Sequence, residues 1–430
     1  MLDIKKIVDS LQGCPCGRPH KVDIKRVEIG HGLKARTADI LSGYNFPKRL
    51  LAVADKNTLA AADGVLEVLR AGGFETELEM YRDLRVADMG ECDRIAGICR
   101  EKKLDGIISI GTGSLNDTCR LAALKADTEF CIFATAPSMD GFASGTAPIT
   151  TGNFKVTHPA RQPSVIIADT SILAKAPAVL KSAGFGDMIG KLTGLVDWRV
   201  SSLITGEYYC ENIAALTEEA LRRVISLAPR VTEESEEAAG AIMEALIITG
   251  IAMKLGDSVR PASGDEHIIS HYWEIKKLEN GLISDFHGRK VGVATLICSR
   301  IYHYLASIET VDPKPENLDW EDIYSTYGPN FVGDVKRLND PTVTAETTPE
   351  IVRECWPQIR RIVLDTLPSD DKLLSIMKSA GAATSISDIA VSPKLGLEGV
   401  IYHPYMRHRM TLMRLIPMLG IKMDWQKFIE

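Results

Sequence analysis

An excess of positive charge is what this chain lacks. Its 50 lysines and arginines face 57 aspartates and glutamates, a formal net charge of −7. With no basic footprint, nucleic acid is not an expected partner. No uninterrupted apolar run is long enough to cross a bilayer, so no membrane span is expected. Met1-Leu2-Asp3-Ile4-Lys5-Lys6 is polar and amphipathic, without the apolar core of a secretory signal. The nine cysteines are odd in number and scattered, which argues against a disulfide framework and fits a reducing, cytoplasmic location. Cys14-Pro15-Cys16-Gly17, with His20 nearby, has the residue types of a metal site but no second ligand pair, and it receives no role. Internal repeats and low-complexity tracts are absent as well.

What is present is a soluble-type composition, 45% hydrophobic and 25% charged, over 430 residues. That length accommodates two or three domains. From Val22 to about Ala178, strands and helices alternate. Val22–Ile29 alternates apolar and polar residues, and Leu50–Ala54, Glu77–Tyr81, Gly106–Ile110, Cys131–Thr135 and Val165–Ala168 are short strand-like runs. Helices are expected over Thr58–Leu69, Asp93–Lys103 and Asp117–Leu124. Alternation of this kind implies a parallel sheet covered on both faces, with ligands at the carboxyl ends of its strands. Beyond Pro177 the pattern is helical nearly throughout, with a loop-like stretch at Pro313–Asn330. The expected architecture is an α/β, Rossmann-like domain over 1–176 followed by an all-α domain over 177–430.

Three stretches carry chemistry. Gly111-Thr112-Gly113-Ser114-Leu115-Asn116-Asp117 joins a buried strand to a helix. Such a turn lets backbone approach a phosphate, and the helix start offers free N–H groups. Asn116 stands where a third glycine would complete the usual dinucleotide fingerprint. Asp55 ends the neighbouring strand and suits an adenosine ribose. Its charge disfavours a 2′-phosphate, which favours NAD(H), while Lys56 beside it keeps NADP(H) open. Next, Thr135-Ala136-Pro137-Ser138-Met139-Asp140-Gly141-Phe142-Ala143-Ser144 is a hydroxyl-rich loop on the same sheet edge, placed to meet a nicotinamide and a polyol-like substrate. Last, His267 and His271 lie four residues apart on one helical face, and His287 follows a break at Gly281. Imidazoles are common metal ligands, and a catalytic divalent site usually takes three protein ligands, so one carboxylate is expected from elsewhere. Asp187 is one candidate, although between glycines at an expected helix start it reads equally as an N-cap.

Taken together, GTGSLNDTCR, ATAPSMDGFASGTAPI, SAGFGDMIGKLT, SGDEHIISH and FHGRKVGVAT resemble the sn-glycerol-1-phosphate dehydrogenases of the bacterial AraM type. These stand with the metal-dependent group III alcohol dehydrogenases, glycerol dehydrogenase and 3-dehydroquinate synthase. The resemblance spans roughly Val22 to Ser307 and implies a dehydroquinate synthase-like fold. It implies that Asp55, Gly113, Ser114, Leu115, Asn116, Asp117, Thr135, Ala136, Pro137, Ser138 and Ser144 hold the nicotinamide cofactor. It implies a divalent ion on Asp187, His267 and His287, with zinc or nickel ahead of iron. Asp140 and His271 would be catalytic and contact the substrate together with Asp187. The implied reaction is reversible reduction of dihydroxyacetone phosphate to sn-glycerol 1-phosphate. Rival readings are a glycerol dehydrogenase-like polyol oxidoreductase and a dehydroquinate synthase-like cyclase. A homo-oligomer is also implied. Lys155, Arg289 and Lys290 are cations available for a phosphate, with nothing in the sequence to choose among them.

Overall fold

A computed structural model describes residues 2–152 and 154–429. Eight strands follow in chain order: β1 (Arg26–Gly30), β2 (Arg49–Asp55), β3 (Glu75–Tyr81), β4 (Gly106–Gly111), β5 (Glu129–Ala134), β6 (Thr146–Thr151), β7 (Phe154–Pro159) and β8 (Val165–Asp169). Six form a parallel sheet in the order β1-β8-β5-β4-β2-β3. The chain runs outward from β2 to β3, then crosses back to β4 and continues through β5. The carboxyl ends of β2 and β4 therefore flank the switch point, where open α/β sheets bind ligands.

The interior strands read as unbroken apolar runs because both faces are covered. Every residue of β4 and β8 is buried. Alternate side chains of β2 divide between two clusters. Leu51 and Val53 pack with Ile95, Cys99 and Cys119 on one face. Leu50, Ala52 and Ala54 pack with Leu41, Val65 and Leu69 on the other. The edge strand β3 carries Glu75, Glu77 and Glu79 and leaves Met80 55% exposed. Charge along an edge discourages pairing with another chain.

Six helices position the site: α1 (Ser114–Ala126), α2 (Ala178–Thr205), α3 (Glu211–Ser226), α4 (Glu236–Gly256), α5 (Asp265–Glu279) and α6 (His287–Ser307). Among the described residues α4 alone is long and apolar enough to cross a membrane, and 78% of its apolar window is buried inside the fold. The α2–α6 crossing is made of glycine. A Cβ on Gly186 would meet Gly288 O at 2.4 Å, and one on Gly288 would meet Ala183 O at 1.9 Å. The two backbones can approach this closely only without side chains between them. Gly184 does the same for the loop after β5: its added Cβ would lie 1.9 Å from Pro137 O.

Several expectations are corrected. Thr58–Leu69 is two helices, Lys56–Ala61 and Val65–Ala71, broken at Gly64, whose φ of 85° is left-handed. Val22–Ile29 pairs as a strand only from Arg26. Pro313–Asn330 contains the helix Trp320–Tyr327, capped by Asp319, which accepts the Asp322 N–H at 3.0 Å. The β6–β7 hairpin went unread because Pro148 cannot donate to a ladder and so argues against a strand. Asp187 is no N-cap: it lies well inside the 28-residue α2.

Candidate functional site

A cleft of about 400 Å³ runs between the carboxyl ends of β2 and β4 and the helices α2, α5 and α6. Asp187, His267 and His287 converge at its inner end, with donor atoms within 4.8 Å of one another. Asp187 comes from α2 beside Gly186, and His287 opens α6 beside Gly288, so the glycine crossing brings them together. His267 comes from the first turn of α5, with Nε2 3.4 Å from Asp187 Oδ1. Glu266 accepts from His267 Nδ1 at 2.7 Å, which turns Nε2 toward Asp187. Burial pushes the His287 ring down to about 3 and keeps it neutral. Burial alone would raise the Asp187 carboxyl, but Lys191 and His267 hold it well below the usual carboxylate range. A neutral imidazole and an ionised carboxylate are the forms that bind a divalent ion, and His287 and Asp187 already hold them. Burial opposes charge on the His267 ring, but Asp187 and Glu266 raise its pKa, so an ion bound there would displace a proton from it.

Lys191, one turn beyond Asp187 on α2, is fully buried. Its Nζ donates to Asp187 Oδ1 at 2.8 Å and to Asp140 Oδ2 at 2.6 Å. The Asp140 backbone N–H donates to Asp187 Oδ2 at 2.9 Å. The loop after β5 is thus tied to the metal-type cluster through both the backbone and the side chain of Asp140.

The other half of the cleft is built on the β4–α1 turn. Gly113 has φ 51° and ψ −124°, and a Cβ there would meet nothing within 4 Å, so the backbone is open to the cleft. No side chain caps the 13-residue α1, whose first N–H groups face the same opening. Asp55 Oδ1 accepts from Asn57 N at 2.8 Å and Thr58 N at 2.9 Å, which fixes the carboxylate at the rim. The Thr112 and Ser138 hydroxyls are 2.7 Å apart and link the two loops. An uncapped helix start, an open glycine and a fixed carboxylate fit a dinucleotide.

The remaining expected residues divide. Asp55, Gly113, Ser114, Leu115, Asp117, Ser138, Asp140, Ser144, His267, His271 and His287 line the cleft. Asn116 turns inward, accepting from Ser109 Oγ at 2.7 Å, and does not line the cleft. Thr135, Ala136 and Pro137 are buried behind the loop, and Asp187 lies behind the imidazoles with no exposed surface. Burial raises the Asp117 carboxyl to about 6. His271 stands outside the three-residue set, its ring stacked on His287 with centroids 5.5 Å apart. Burial, with Lys155 and Arg407 nearby, holds its pKa well below the ordinary value.

Comparison with known proteins gives the family. The family model for iron-containing alcohol dehydrogenase matches residues 28–177, the sheet and its turns. A glycerol-1-phosphate dehydrogenase (NAD(P)+) of Halalkalibacterium halodurans is 30% identical over 412 residues, covering 93% of this chain and 94% of that one. The chain belongs to the glycerol-1-phosphate dehydrogenase family. The Bacillus subtilis enzyme of that name is 36% identical over 290 residues, or 66% of this chain and 73% of that one. A probable glycerol dehydrogenase from Sinorhizobium meliloti shares the fold at 16% identity, with a TM-score of 0.63 over 94% of this chain and 95% of that one. Glycerol dehydrogenase from Schizosaccharomyces pombe does likewise, with 16% identity and a TM-score of 0.61 over 95% and 89%. The dehydroquinate synthase-like architecture is therefore the fold of this chain, and the chain is an oxidoreductase of an NAD(P)-using family.

In this member of the glycerol-1-phosphate dehydrogenase family, residues in and directly behind the cleft went beyond sequence reading. Lys191 was legible as an i+4 partner of Asp187, and Glu266 as the acid before His267. Glu274 accepts from both Lys155 and Lys290, each at 2.8 Å. Arg407 and Arg409 reach the cleft from the far C-terminal region, and no sequence signal connects them to it. Of the three cations considered for phosphate, Lys155 and Lys290 line the cleft. Arg289 pairs with Asp285 at 3.1 Å and donates to Asp388 O, away from it.

Proposed function

We propose that this chain catalyses the reversible, NAD(P)H-dependent and metal-dependent reduction of dihydroxyacetone phosphate to sn-glycerol 1-phosphate. The observation that carries the reading is the position of Asp187, His267 and His287 at one end of the cleft whose rim is the Gly113 turn. When bound, the divalent ion supplies Lewis-acid polarisation of a ketone oxygen and the nicotinamide supplies the hydride. Asp187, His267 and His287 hold that ion, with Glu266 aiming one imidazole. Zinc or nickel suits two nitrogens and one carboxylate oxygen.

The Gly113–Asp117 turn takes the pyrophosphate and Asp55 the adenosine ribose, whose 2′-hydroxyl it accepts from, favouring NAD(H). Ser138 and Ser144 orient the nicotinamide end. Asp140, held by Lys191, fixes a substrate hydroxyl. His271 stays neutral in its buried setting, so its N–H relays a proton to the developing alkoxide rather than standing as an imidazolium. Arg407 and Arg409 line the cleft and, among the described residues, have no carboxylate within 4.0 Å, so an anionic substrate group suits them. That cationic wall favours a phosphorylated ketone over free glycerol. The enzyme works as a cytoplasmic homo-oligomer.

The test is an NADH-oxidation assay with dihydroxyacetone phosphate, repeated with dihydroxyacetone, after chelation and after addition of zinc or nickel. The reading requires a strong preference for the phosphorylated ketone, loss of turnover on chelation, recovery with metal, and the sn-1 product. Equal turnover of the unphosphorylated ketone would make it a glycerol dehydrogenase. Conversion with no net NADH change would make it a cyclase.

A further inference from the structure

A second cluster of metal-type donors lies away from the cleft. Cys14, Cys16, His20 and Cys210 bring one donor atom each to within 4.8 Å of one another, and none of them lines the catalytic cleft. Three come from one tight segment after the helix Ile4–Ser10. Gly13 and Gly17, with φ of 70° and 74°, bracket Cys14-Pro15-Cys16 and let the chain fold back on itself. The fourth comes from 196 residues beyond Cys14. Cys210 is the N-cap of α3, and its Sγ is 3.5 Å from Cys14 Sγ.

The spacing fits a tetrahedral ion. With Zn–S of about 2.3 Å and Zn–N of about 2.0–2.1 Å, neighbouring donors of a three-sulfur, one-nitrogen set stand roughly 3.5–3.8 Å apart. Cys16 Sγ is 3.2 Å from His20 Nε2, close to that edge length. The surroundings fit as well. His20 Nδ1 is 2.9 Å from Leu255 O, so Nδ1 carries the proton and Nε2 presents its lone pair to the sulfurs. The sulfurs are in turn approached by donors: Tyr208 OH lies 3.4 Å from Cys16 Sγ, and Asn212 Nδ2 lies 3.3 Å from Cys14 Sγ. A thiol is a weak acceptor, whereas a metal-bound thiolate is a strong one.

We propose that Cys14, Cys16, His20 and Cys210 hold one zinc ion in a closed, four-ligand structural site. Three sulfurs and one nitrogen fill the tetrahedron and leave no position for substrate, which separates this site from the catalytic one. The ion fastens the segment before β1 to the start of α3 and, through His20 and Leu255, to the end of α4. Binding releases the thiol protons and is linked to folding of the segment. The proposal stands independently of the reaction assigned to the cleft.

The experiment counts zinc by elemental analysis in protein expressed with zinc supplementation under reducing conditions. His267→Ala/His287→Ala, which disables the cleft cluster, retains about one zinc per chain. Cys14→Ser/Cys210→Ser loses one equivalent relative to the unsubstituted chain. Should the serine variant fail to fold, the unsubstituted protein decides. An organomercurial then releases the thiol-held zinc to a chromophoric chelator, and cobalt substitution gives intense thiolate-to-cobalt absorption. A zinc-free His267→Ala/His287→Ala protein with no thiol-linked zinc release overturns the proposal. So does a Cys14–Cys210 disulfide in the peptide map of protein prepared without oxidant.

Discussion

Lys191 Nζ lies 2.8 Å from Asp187 Oδ1, a fully buried ion pair one helical turn long inside the α2 helix. The ammonium is itself pinned by Asp140 at 2.6 Å, so a single cation balances two carboxylates beside the metal-type cluster. A charged group without exposed surface stays only where such partners neutralise it.

Replacing Lys191 by Met should therefore destabilise the metal-free protein by about 3–5 kcal/mol, the cost of leaving a buried charge uncompensated. A divalent ion on Asp187 offsets part of that loss, because it restores positive charge at the same carboxylate. Urea unfolding in chelator and in excess metal measures both values. An equal loss under the two conditions would separate Lys191 from the metal cluster.

His271→Ala should retain its metal and its cofactor affinity while turnover falls by about 10²–10⁴-fold, the usual contribution of a positioned proton-transfer group. Metal content measured beside the turnover number distinguishes this from a ligand role. A metal-depleted variant would place His271 in the coordination set instead of beside it.

Asp55→Ala should raise the Michaelis constant for NADH by about 10–150-fold, equivalent to about 1.5–3 kcal/mol for a lost charge-assisted hydrogen bond. The constant for the ketone should move little. Because Asp55 also caps the helix Lys56–Ala61, some loss of thermal stability accompanies the change. Parallel rises in both constants would remove Asp55 from the ribose site.

Glu274 sets a pH limit. Burial opposes its ionisation, but Lys155 and Lys290 overcome that and hold its carboxyl well below the ordinary 4.5. With the folded value depressed, the stabilisation is complete above the unfolded value and is lost as pH falls through the folded one. Glu274→Gln removes it and leaves two ammonium groups facing each other, at about 3–5 kcal/mol near neutral pH. Denaturant curves from neutral to strongly acidic pH should show the two proteins converging toward acid. A constant gap at every pH would contradict the assignment.

The sheet was legible because buried parallel strands such as Gly106–Gly111 leave an apolar run in the sequence itself. Its hairpin was not, since Pro148 reads against a strand and only the fold shows that β6 needs one ladder partner. The histidines of the cleft were legible as a four-residue spacing plus a third imidazole nearby. Asp187 was legible only as one carboxylate candidate, read equally as an N-cap, because its local setting misleads. Glycines at 184, 186 and 190 look like a helix start, yet they serve close crossings deep within α2. Cys210 joining Cys14, and Arg407 joining Lys155, are tertiary coincidences of distant segments, which no local pattern encodes.

On the proposed ligand set, the contact of Gly186 with Gly288 makes ion retention a gauge of helix spacing. Asp187 and His287 are the next residues along from those glycines, so the interval between two backbones fixes the interval between two donors. A drift of a fraction of an ångström in either helix loosens the ion long before the surrounding core gives way. Heat inactivation of the enzyme should then begin as leakage of metal, at temperatures where circular dichroism still reports intact helices. Added metal should postpone that loss without shifting the onset of backbone melting to the same degree.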